Sequence, residues 1–254
     1  MSASSPDDAV SPISWSPVPH SRAHEQVIDA IEDQVMAGRL VVGDALPPER
    51  ELASKLDVSR ASVREAIRVL ESQGVLYSRV GSGKTAGTFI TAMPSAALTR
   101  LLRMHVGLSN FPVRDVIEVR VALERTSVAL AAENADQDLL AAIREPLEHM
   151  NLPDVPLEVF NDADTAFHVA IAEASGHRLV ADLTTAIRSS LQTVILRAFH
   201  DMTDTRSLRQ KLQAQHREIY DAIACGDGAR GADLTEHHIR FAHRSLPEID
   251  RPGV

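Results

Sequence analysis

The segment from Glu49 to Gly74 constrains the fold most, because two short amphipathic patterns are separated there by a tight polar break. Only Asp57 and Val58 lie between the patterns, which leaves room for a sharp turn but not for a long hairpin. The segment therefore predicts a helix-turn-helix, a motif whose second helix can read DNA. Apolar residues recur at helical spacing on both sides of the break, namely Leu52, Ala53 and Leu56, then Val63, Ile67 and Leu70.

The second helix carries arginines on a face that a core does not need. Arg60 and Arg64 lie one turn apart, away from the apolar stripe. An exposed arginine near the start of a recognition helix can donate two hydrogen bonds to guanine O6 and N7. Ser59 and Ser62 are within reach of phosphates or base edges. The alternative is a solvated helix on which the arginines pair with their acidic neighbours, Glu65 and Glu71.

Two β-prone runs follow this helix. VLYSRV and TFI flank the turn-rich sequence GSGKTAG, so they predict a β-hairpin with Lys84 at its tip. Upstream, a further helix that ends near Gly38 is predicted by the spacing of Val27, Ile28, Ile31 and Val35. Three helices followed by a hairpin predict a winged helix-turn-helix, with the hairpin as the wing.

The order of these elements resembles the GntR family of bacterial transcription regulators. The resemblance covers about residues 24 to 91 and rests on PPERELA and SRASVREA, which occur together at the separation typical of the family. It implies DNA contacts by arginines of both helices and by glycines of the wing. The wing sequence GSGKTAG is longer than the Gly-Arg-Gly turn usual there. The predicted DNA-binding residues are Arg50, Ser59, Arg60, Ser62, Arg64, Gly83, Lys84 and Gly87.

Length and composition predict two domains. At 254 residues, of which 44% are hydrophobic, the chain can bury two ordinary cores. We expect a disordered tail over residues 1–20, which are rich in Ser, Pro and Asp, a winged helix-turn-helix domain over residues 21–92, and a helical domain over residues 96–247. Cys225 is the only cysteine, so no internal disulfide is expected. Without a leader or a long apolar run, we expect a cytoplasmic protein that does not bind membranes.

The charge distribution argues against a protein that coats nucleic acid generally. The net charge is -9, but between Arg50 and Lys84 seven Lys and Arg residues outnumber four acids, a local balance of +3. Non-specific affinity for DNA comes mainly from Lys and Arg that neutralise phosphates. A basic surface is therefore predicted only around the helix-turn-helix.

From Ala96 onward the sequence has almost no strand signal, and Ala, Leu, Arg and Glu recur at helical periods. We expect an all-α antiparallel bundle of about six or seven helices, so the fold class of the whole chain is mainly α. Pro146 falls inside one helix and predicts a kink or an early end there. The breaks between helices are expected at residues 107–112, 134–137, 151–156, 176 and 226–228.

Four polar residues fall on faces of this bundle that should be buried. Asp164 and His168 are four residues apart and so share a face. His216 lies eleven residues before Asp227 and His238 eleven after it, so an antiparallel hairpin at that turn puts both imidazoles at one level. One carboxylate and three imidazoles that converge would bind a divalent metal such as Zn, Ni, Co, Mn or Fe. The alternative is that each is an ordinary histidine of the core or the surface.

A second resemblance covers about residues 96 to 246. The sequences DTAFHVAIAEASGH, QAQHREIYDAIACGD and TEHHI resemble the FCD-type ligand-binding domain of the FadR subfamily. In that family an Asp and three His hold a metal in the bundle cavity. The resemblance therefore implies metal ligation by Asp164, His168, His216 and His238. His177, where many relatives carry Asn, is a candidate for an effector contact.

Arg120 lies on the apolar stripe of its helix, and a buried guanidinium requires an anion. The anion could be an internal carboxylate such as Asp164 or Glu124. It could instead be the carboxylate of an effector, which arginine binds through a planar fork. The FCD resemblance favours the effector, because an arginine in the context VRVALE lines the cavity in that family.

These patterns favour a ligand-responsive transcription regulator over an enzyme. A homodimer would bind a palindromic operator. A small organic acid, for example a sugar acid, would bind over the metal in the bundle and modulate DNA affinity. Two alternatives remain, a metal-dependent, hydrolase-like enzyme with a DNA-binding anchor and a structural metal site that takes no effector.

Overall fold

The structure is a computed structural model that describes residues 23–81, 86–91, 95–108 and 110–246. These residues divide into two compact units, an amino-terminal unit that ends at Ile90 and a carboxy-terminal unit that begins at Thr91. The predicted tail over residues 1–20 and the predicted wing contacts Gly83 and Lys84 lie outside the described residues.

The amino-terminal unit consists of three helices and a hairpin, which confirms the predicted winged helix-turn-helix. Its core contains Val27 and Ile31 of the first helix and Val63 and Leu70 of the third, all at most 3% exposed. The elements in chain order are α1 (Ala23–Met36), α2 (Glu49–Lys55), α3 (Arg60–Ser72), β1 (Leu76–Arg79) and β2 (Gly87–Ile90).

Local sequence sets the two ends of α3. Before it, Asp57 adopts a left-handed conformation with φ of 52°, which Asp tolerates better than most residues and which closes the turn after α2. Ser59 then caps α3, because its side chain accepts a hydrogen bond from the backbone N–H of Ser62. At the far end Gly74 has φ of 74°, and the N–H of Val75 donates to the carbonyl of Leu70 in a Schellman motif.

The two strands of the hairpin form a small antiparallel sheet, which one isolated bridge joins to the segment before α2. Strands β1 and β2 pair in the register Leu76 with Ile90 and Arg79 with Gly87. Ala45 bridges to Phe89 on the other edge of β2, a pairing that the sequence pattern did not predict. The Tyr77 and Phe89 rings stack across the sheet with centroids 5.4 Å apart. The sheet therefore ties the base of the wing to the loop that leads into α2.

The carboxy-terminal unit is all-α over its described residues, as predicted. The helix α6 continues four residues past Pro146 to Met150, so of the predicted kink or early end the early end is wrong. A break over residues 201–205 was not predicted; it separates two helices that the sequence pattern joined. The helices are α4 (Ser95–Gly107), α5 (Val113–Asn134), α6 (Gln137–Met150), α7 (Leu157–Ala174), α8 (Arg178–His200), α9 (Arg206–Ala224) and α10 (Gly228–Ser245).

Helix α5 is the centre of this unit, since it packs against α7, α8, α9 and α10. Large buried side chains such as Phe160, Phe167 and Ile219 fill the space between the helices. Polar groups from these helices therefore face one another inside an apolar shell. Among the described residues, no helix combines the length and the apolar character needed to cross a membrane.

Candidate functional site

The three arginines predicted to contact DNA differ in whether they already have a partner. Arg50, at the start of α2, and Arg60, the first residue of α3, are exposed and make no hydrogen bond or close ion pair with the described part of the chain. Arg64 instead forms a two-point pair with Glu49, from Nη2 to Oε2 at 2.8 Å and from Nε to Oε1 at 3.2 Å. Its partner is thus neither Glu65 nor Glu71, the acids considered from the sequence.

The two serines of the predicted interface bond to each other. Their hydroxyl oxygens are 2.8 Å apart, and Ser62 is 8% exposed. Ser59 is exposed but serves as the cap of α3. Gly87 opens β2 with φ of 149°, a conformation that L side chains rarely adopt. These positions support the shape of the motif, while Arg50 and Arg60 offer the free donors.

In the carboxy-terminal unit the four predicted metal ligands converge. One potential ligand atom from each of Asp164, His168, His216 and His238 lies within 4.8 Å of the others. The Nε2 atoms of His168 and His216 are 3.2 Å apart, and His216 Nε2 is 3.0 Å from Asp164 Oδ1. Two ligands of one Zn²⁺-like ion would lie about 2.8 to 3.6 Å apart, given bonds of about 2.0 to 2.2 Å and angles of about 90° to 110°. We refer to these four residues as the His/Asp cluster.

Outer hydrogen bonds fix two of the imidazoles in a ligand orientation. His168 Nδ1 is 2.7 Å from Glu124 Oε2, and a carboxylate can only accept, so the ring donates there and keeps a lone pair on Nε2. His238 Nδ1 lies 3.0 Å from the amide oxygen of Gln215, with the same consequence. Metal-binding histidines are usually oriented in this way.

The third imidazole, His216, is held differently. It is fully buried, and its Nδ1 atom has no hydrogen-bond partner among the described residues. Its inward Nε2 atom is the one that contacts the cluster. A bond from a metal to Nε2 would replace the contacts that this atom makes with Asp164 and His168. The donor set, three imidazoles and one carboxylate, fits a divalent transition metal.

Burial and neighbouring charges keep Asp164, His168 and His238 in the protonation states that a metal needs. Burial, reinforced by Arg188, lowers the pKa of His168 to about 3. Burial and the neighbouring imidazoles also hold the pKa of His238 well below its usual value. Burial raises the pKa of Asp164, but Arg188 and the hydrogen bond from His216 outweigh it and leave this pKa well below normal. Asp164 is thus ionised and His168 and His238 are neutral at pH 7.

An ionic network behind the cluster was not fully predicted. Arg188, 1% exposed, binds both oxygens of Glu124 at 2.8 Å and Asp164 Oδ2 at 2.7 Å. The sequence pattern identified Glu124 only as a possible partner of Arg120. Arg188 lies one turn from the buried Thr184 and Leu191, so the spacing that placed Arg120 in the core would have found it too.

Arg120 is buried, as predicted, and its partner is internal. Its Nε donates to Glu124 Oε1 at 2.7 Å. The residue also lines a cavity of about 20 Å³, room for about one water molecule, together with Asp164 and His238 of the cluster. Nε is occupied by Glu124, so the two Nη groups are those that can serve a ligand. The remaining walls are largely apolar, with Ile117 and Phe160 among them.

The structure does not bring His177 to this cavity. The side chain is exposed and caps α8, with its Nδ1 accepting a hydrogen bond from the N–H of Val180 at 3.4 Å. The residue follows Gly176, whose φ of 67° ends the preceding turn. His177 therefore has a local structural role as the cap of α8, and its predicted effector contact stays a prediction.

Family comparisons match both units. The family described as "Bacterial regulatory proteins, gntR family" matches residues 23–85, and the FCD domain family matches residues 115–241. A solved structure described as Streptococcus agalactiae GntR aligns with a TM-score of 0.55 and 26% identity, over 87% of this chain and 99% of that one. The fold class predicted from the sequence agrees with this neighbour.

Curated relatives point the same way. The HTH-type transcriptional regulator LutR of Bacillus subtilis is 32% identical over 80% of this chain and 91% of its own. The putative L-lactate dehydrogenase operon regulatory protein of Escherichia coli is 30% identical over 90% of this chain and 88% of its own. These relatives are named regulators, not enzymes, so the hydrolase alternative is set aside. The chain belongs to the GntR family of bacterial transcription regulators, with a gntR-type amino-terminal domain and a carboxy-terminal FCD domain.

Proposed function

We propose that this regulator is a homodimer that binds a palindromic operator and responds to a small organic acid bound over a divalent metal. One observation carries the proposal: a single cavity in the bundle is lined both by members of the His/Asp cluster and by the buried Arg120. Such a cavity would place a bound metal and a carboxylate-binding arginine next to the same ligand. Because its target is chromosomal DNA, we place the regulator in the cytoplasm.

For the DNA-binding end, Arg60 and Arg50 are the residues we assign to the operator. Both are exposed and unpaired within the described residues, and Arg60 begins the reading helix. A guanidinium there can donate to guanine from the major groove. Arg64 would contribute once it leaves or reorients its exposed pair with Glu49, a pair that costs little to break. The wing residues Gly83, Lys84 and Gly87 remain proposed contacts.

For the metal, Asp164, His168, His216 and His238 would be the ligands. A bound ion would polarise an oxygen of any carboxylate placed beside it, as a Lewis acid does. The chain's own residues would hold the donors in place and exclude water with the surrounding apolar walls. The structural role considered from the sequence, a metal without an effector, would leave Arg120 with no task at the cavity.

Charge balance supports an anionic effector. Arg120 and Arg188 carry two positive charges, and the ionised Glu124 and Asp164 carry two negative charges, so the buried network is neutral. A divalent ion would add two positive charges to this interior. Buried charge without a counterion is costly. An acid that places its carboxylate between the metal and Arg120 would supply one of the two missing negative charges.

The size of the cavity and the names of relatives support a small acid. A cavity of about 20 Å³ must widen to admit even a three-carbon acid. One relative is named for an L-lactate dehydrogenase operon, and lactate is a small hydroxycarboxylate. We propose this class of ligand. An acid that binds only the widened bundle would shift the population toward it, and DNA affinity would change by the difference.

Metal content tests the proposal directly. We expect protein purified without chelator to contain close to one equivalent of a divalent transition metal by elemental analysis. His216→Ala and His238→Ala should each lose most of it, since each removes a buried ligand. His237→Ala is the matched control, because His237 neighbours His238 but is exposed. Full occupancy in both site variants would refute the metal centre.

Arg120 tests the effector separately. With an operator selected from a random DNA pool, a hydroxycarboxylate such as L-lactate should change the affinity of the metal-loaded protein measured by fluorescence anisotropy. Arg120→Gln should abolish that response, whereas Arg114→Gln, an exposed arginine on the same helix, should preserve it. An undiminished response in Arg120→Gln would sink the carboxylate assignment.

A further inference from the structure

Arg188 is the largest fully buried side chain among the described residues. All three types of nitrogen in its guanidinium are used. Nε and Nη2 each donate to Glu124 at 2.8 Å, and Nη1 donates to Asp164 Oδ2 at 2.7 Å. Asp164 therefore has one oxygen fixed by Arg188, and its other oxygen, Oδ1, faces His216 Nε2 at 3.0 Å.

Glu124 extends this control to a second member of the cluster. Its Oε2 atom accepts from Arg188 Nη2 and from His168 Nδ1, the latter at 2.7 Å. The contact sets the plane of the His168 ring and keeps the lone pair of Nε2 directed at the cluster. One guanidinium and one carboxylate, from α8 and α5, thereby orient two ligands of α7. Neither α5 nor α8 supplies a residue of the cluster itself.

Stability alone does not account for this pair. A buried ion pair loses so much hydration that well-packed apolar residues of similar volume are often equally stabilising. Arg188 and Glu124 are 1% and 2% exposed, deep enough for that cost to apply. Their hydrogen bonds converge on the cluster and on Arg120, whose Nε donates to Glu124 Oε1. The directions of these bonds therefore point to a task at the site.

We propose that Arg188 and Glu124 are positioning residues for the metal site: they hold Asp164 with Oδ1, and His168 with Nε2, directed at the other members of the cluster, and they connect both residues to the cavity arginine. The inference rests on the proposed metal function of the cluster. It deepens that function by assigning the ligand geometry to two residues that would not touch the metal.

Cobalt provides the test, because the visible absorption of bound Co²⁺ reports the geometry of its ligands. The full-length protein is stripped of metal and titrated with Co²⁺ in wild type, Arg188→Lys and Glu124→Gln, with folding followed by circular dichroism. Lysine keeps the buried charge but cannot reach both carboxylates at three points. Glutamine keeps the shape of Glu124 but places an N–H₂ group against one of its donors. Thr184→Val, fully buried one turn away on α8, is the control.

We expect both variants to bind Co²⁺ about tenfold or more weakly and to show altered absorption bands when saturated, as outer-sphere losses usually do. Thr184→Val should match wild type in both readouts. A role in folding alone would lower the melting temperature while leaving the saturated spectrum unchanged, and that outcome would overturn the inference. A folded Arg188→Lys variant that binds Co²⁺ with wild-type affinity would also overturn the inference. If Glu124→Gln does not fold, the result for Arg188→Lys alone decides whether the inference holds. Failure of wild type to bind Co²⁺ would instead reject the metal site itself.

Discussion

The arginines of α3 differ in what they must give up to reach DNA. Arg60 is exposed and makes no ion pair among the described residues, so in the proposed interface its guanidinium would give up only water to reach a base edge. Arg64 must first release Glu49, whose pKa is lowered mainly by the hydrogen bond from Arg64. Because that pair is exposed to solvent, its release costs little. Both residues remain usable, but Arg60 is the better prepared donor.

Arg60→Ala should weaken specific operator binding by about 1 to 3 kcal/mol, the usual worth of a two-point contact with guanine. The reading helix would keep its fold, because Arg60 is exposed at the first position of α3. Anisotropy titrations with the selected operator and a scrambled duplex give the comparison. Arg68→Ala serves as the control, since Arg68 lies two turns along α3 and 3.8 Å from Glu65. Equal losses in the two variants would remove Arg60 from the proposed interface.

The sequence could predict those parts of the candidate site that depend only on which residues share a face of one helix or lie at one level of a helical hairpin. Asp164 and His168 share a face by spacing alone, and the symmetric distances around Asp227 put His216 and His238 together, where their ring centroids are 4.3 Å apart. Arg188 was not predicted, although its helical spacing from Thr184 and Leu191 places it on the buried face of α8. Which of two buried arginines meets which carboxylate depends on the packing of α5 against α7 and α8, and no single helix encodes it.

Two glycines of α10 allow this helix to pack closely against α5. Gly228 and Gly231 lie one turn apart, and a Cβ atom on Gly228 would come within 2.9 Å of the carbonyl oxygen and 3.1 Å of the Cα of Ala129. A Cβ on Gly231 would lie 2.6 Å from Val128 Cγ1. His238 follows Gly231 by two turns on the same face of α10. The contact between these two helices thus helps to place a proposed metal ligand.

Gly228→Ala should therefore lower the free energy of unfolding of the carboxy-terminal unit by about 1 to 3 kcal/mol, the usual cost of overpacking. The obstacle is the backbone of α5, which cannot rotate away as a side chain can. Gly107→Ala is the matched control, because nothing lies within 4 Å of its Cβ position and alanine favours a helix. Denaturant unfolding of metal-free protein measures both. If Gly228→Ala is as stable as Gly107→Ala, the close approach of α10 is not required.

The ends of the helices show where the sequence pattern fails to predict the structure. The breaks expected at glycine, proline and asparagine clusters match the ends of helices, for example at Gly226, whose φ is 72°. The break over residues 201–205 has neither glycine nor proline, so α8 and α9 appeared continuous. At Pro146 the sequence pattern made the opposite error: an early end was among the expectations there, but Pro146 is buried inside the continuous helix α6. Packing of the residues beyond it, such as the fully buried Met150, outweighs the lost backbone hydrogen bond.

At the scale of the whole molecule, charge limits how the regulator finds DNA. The net charge is -9 and the segment Arg50 to Lys84 carries +3, so the rest of the chain carries -12, from -9 minus +3. Most of the surface therefore repels a polyanion, and attraction depends on a short basic segment. Non-specific binding should be weak. A single amino-terminal unit offers few contacts, which makes pairing of two units on one operator the natural route to affinity.

Operator geometry tests that pairing. If two copies bind as a two-fold dimer, the half-sites must be inverted repeats on one face of the duplex. Inserting about 5 base pairs between them rotates one half-site by half a turn, so affinity should fall about 100-fold or more, toward that of a single half-site. The same half-sites arranged as a direct repeat should bind equally poorly, because a two-fold dimer cannot match them. Mass photometry should count two chains on the intact operator. One chain per operator, with affinity indifferent to the insertion, would show that the units act alone.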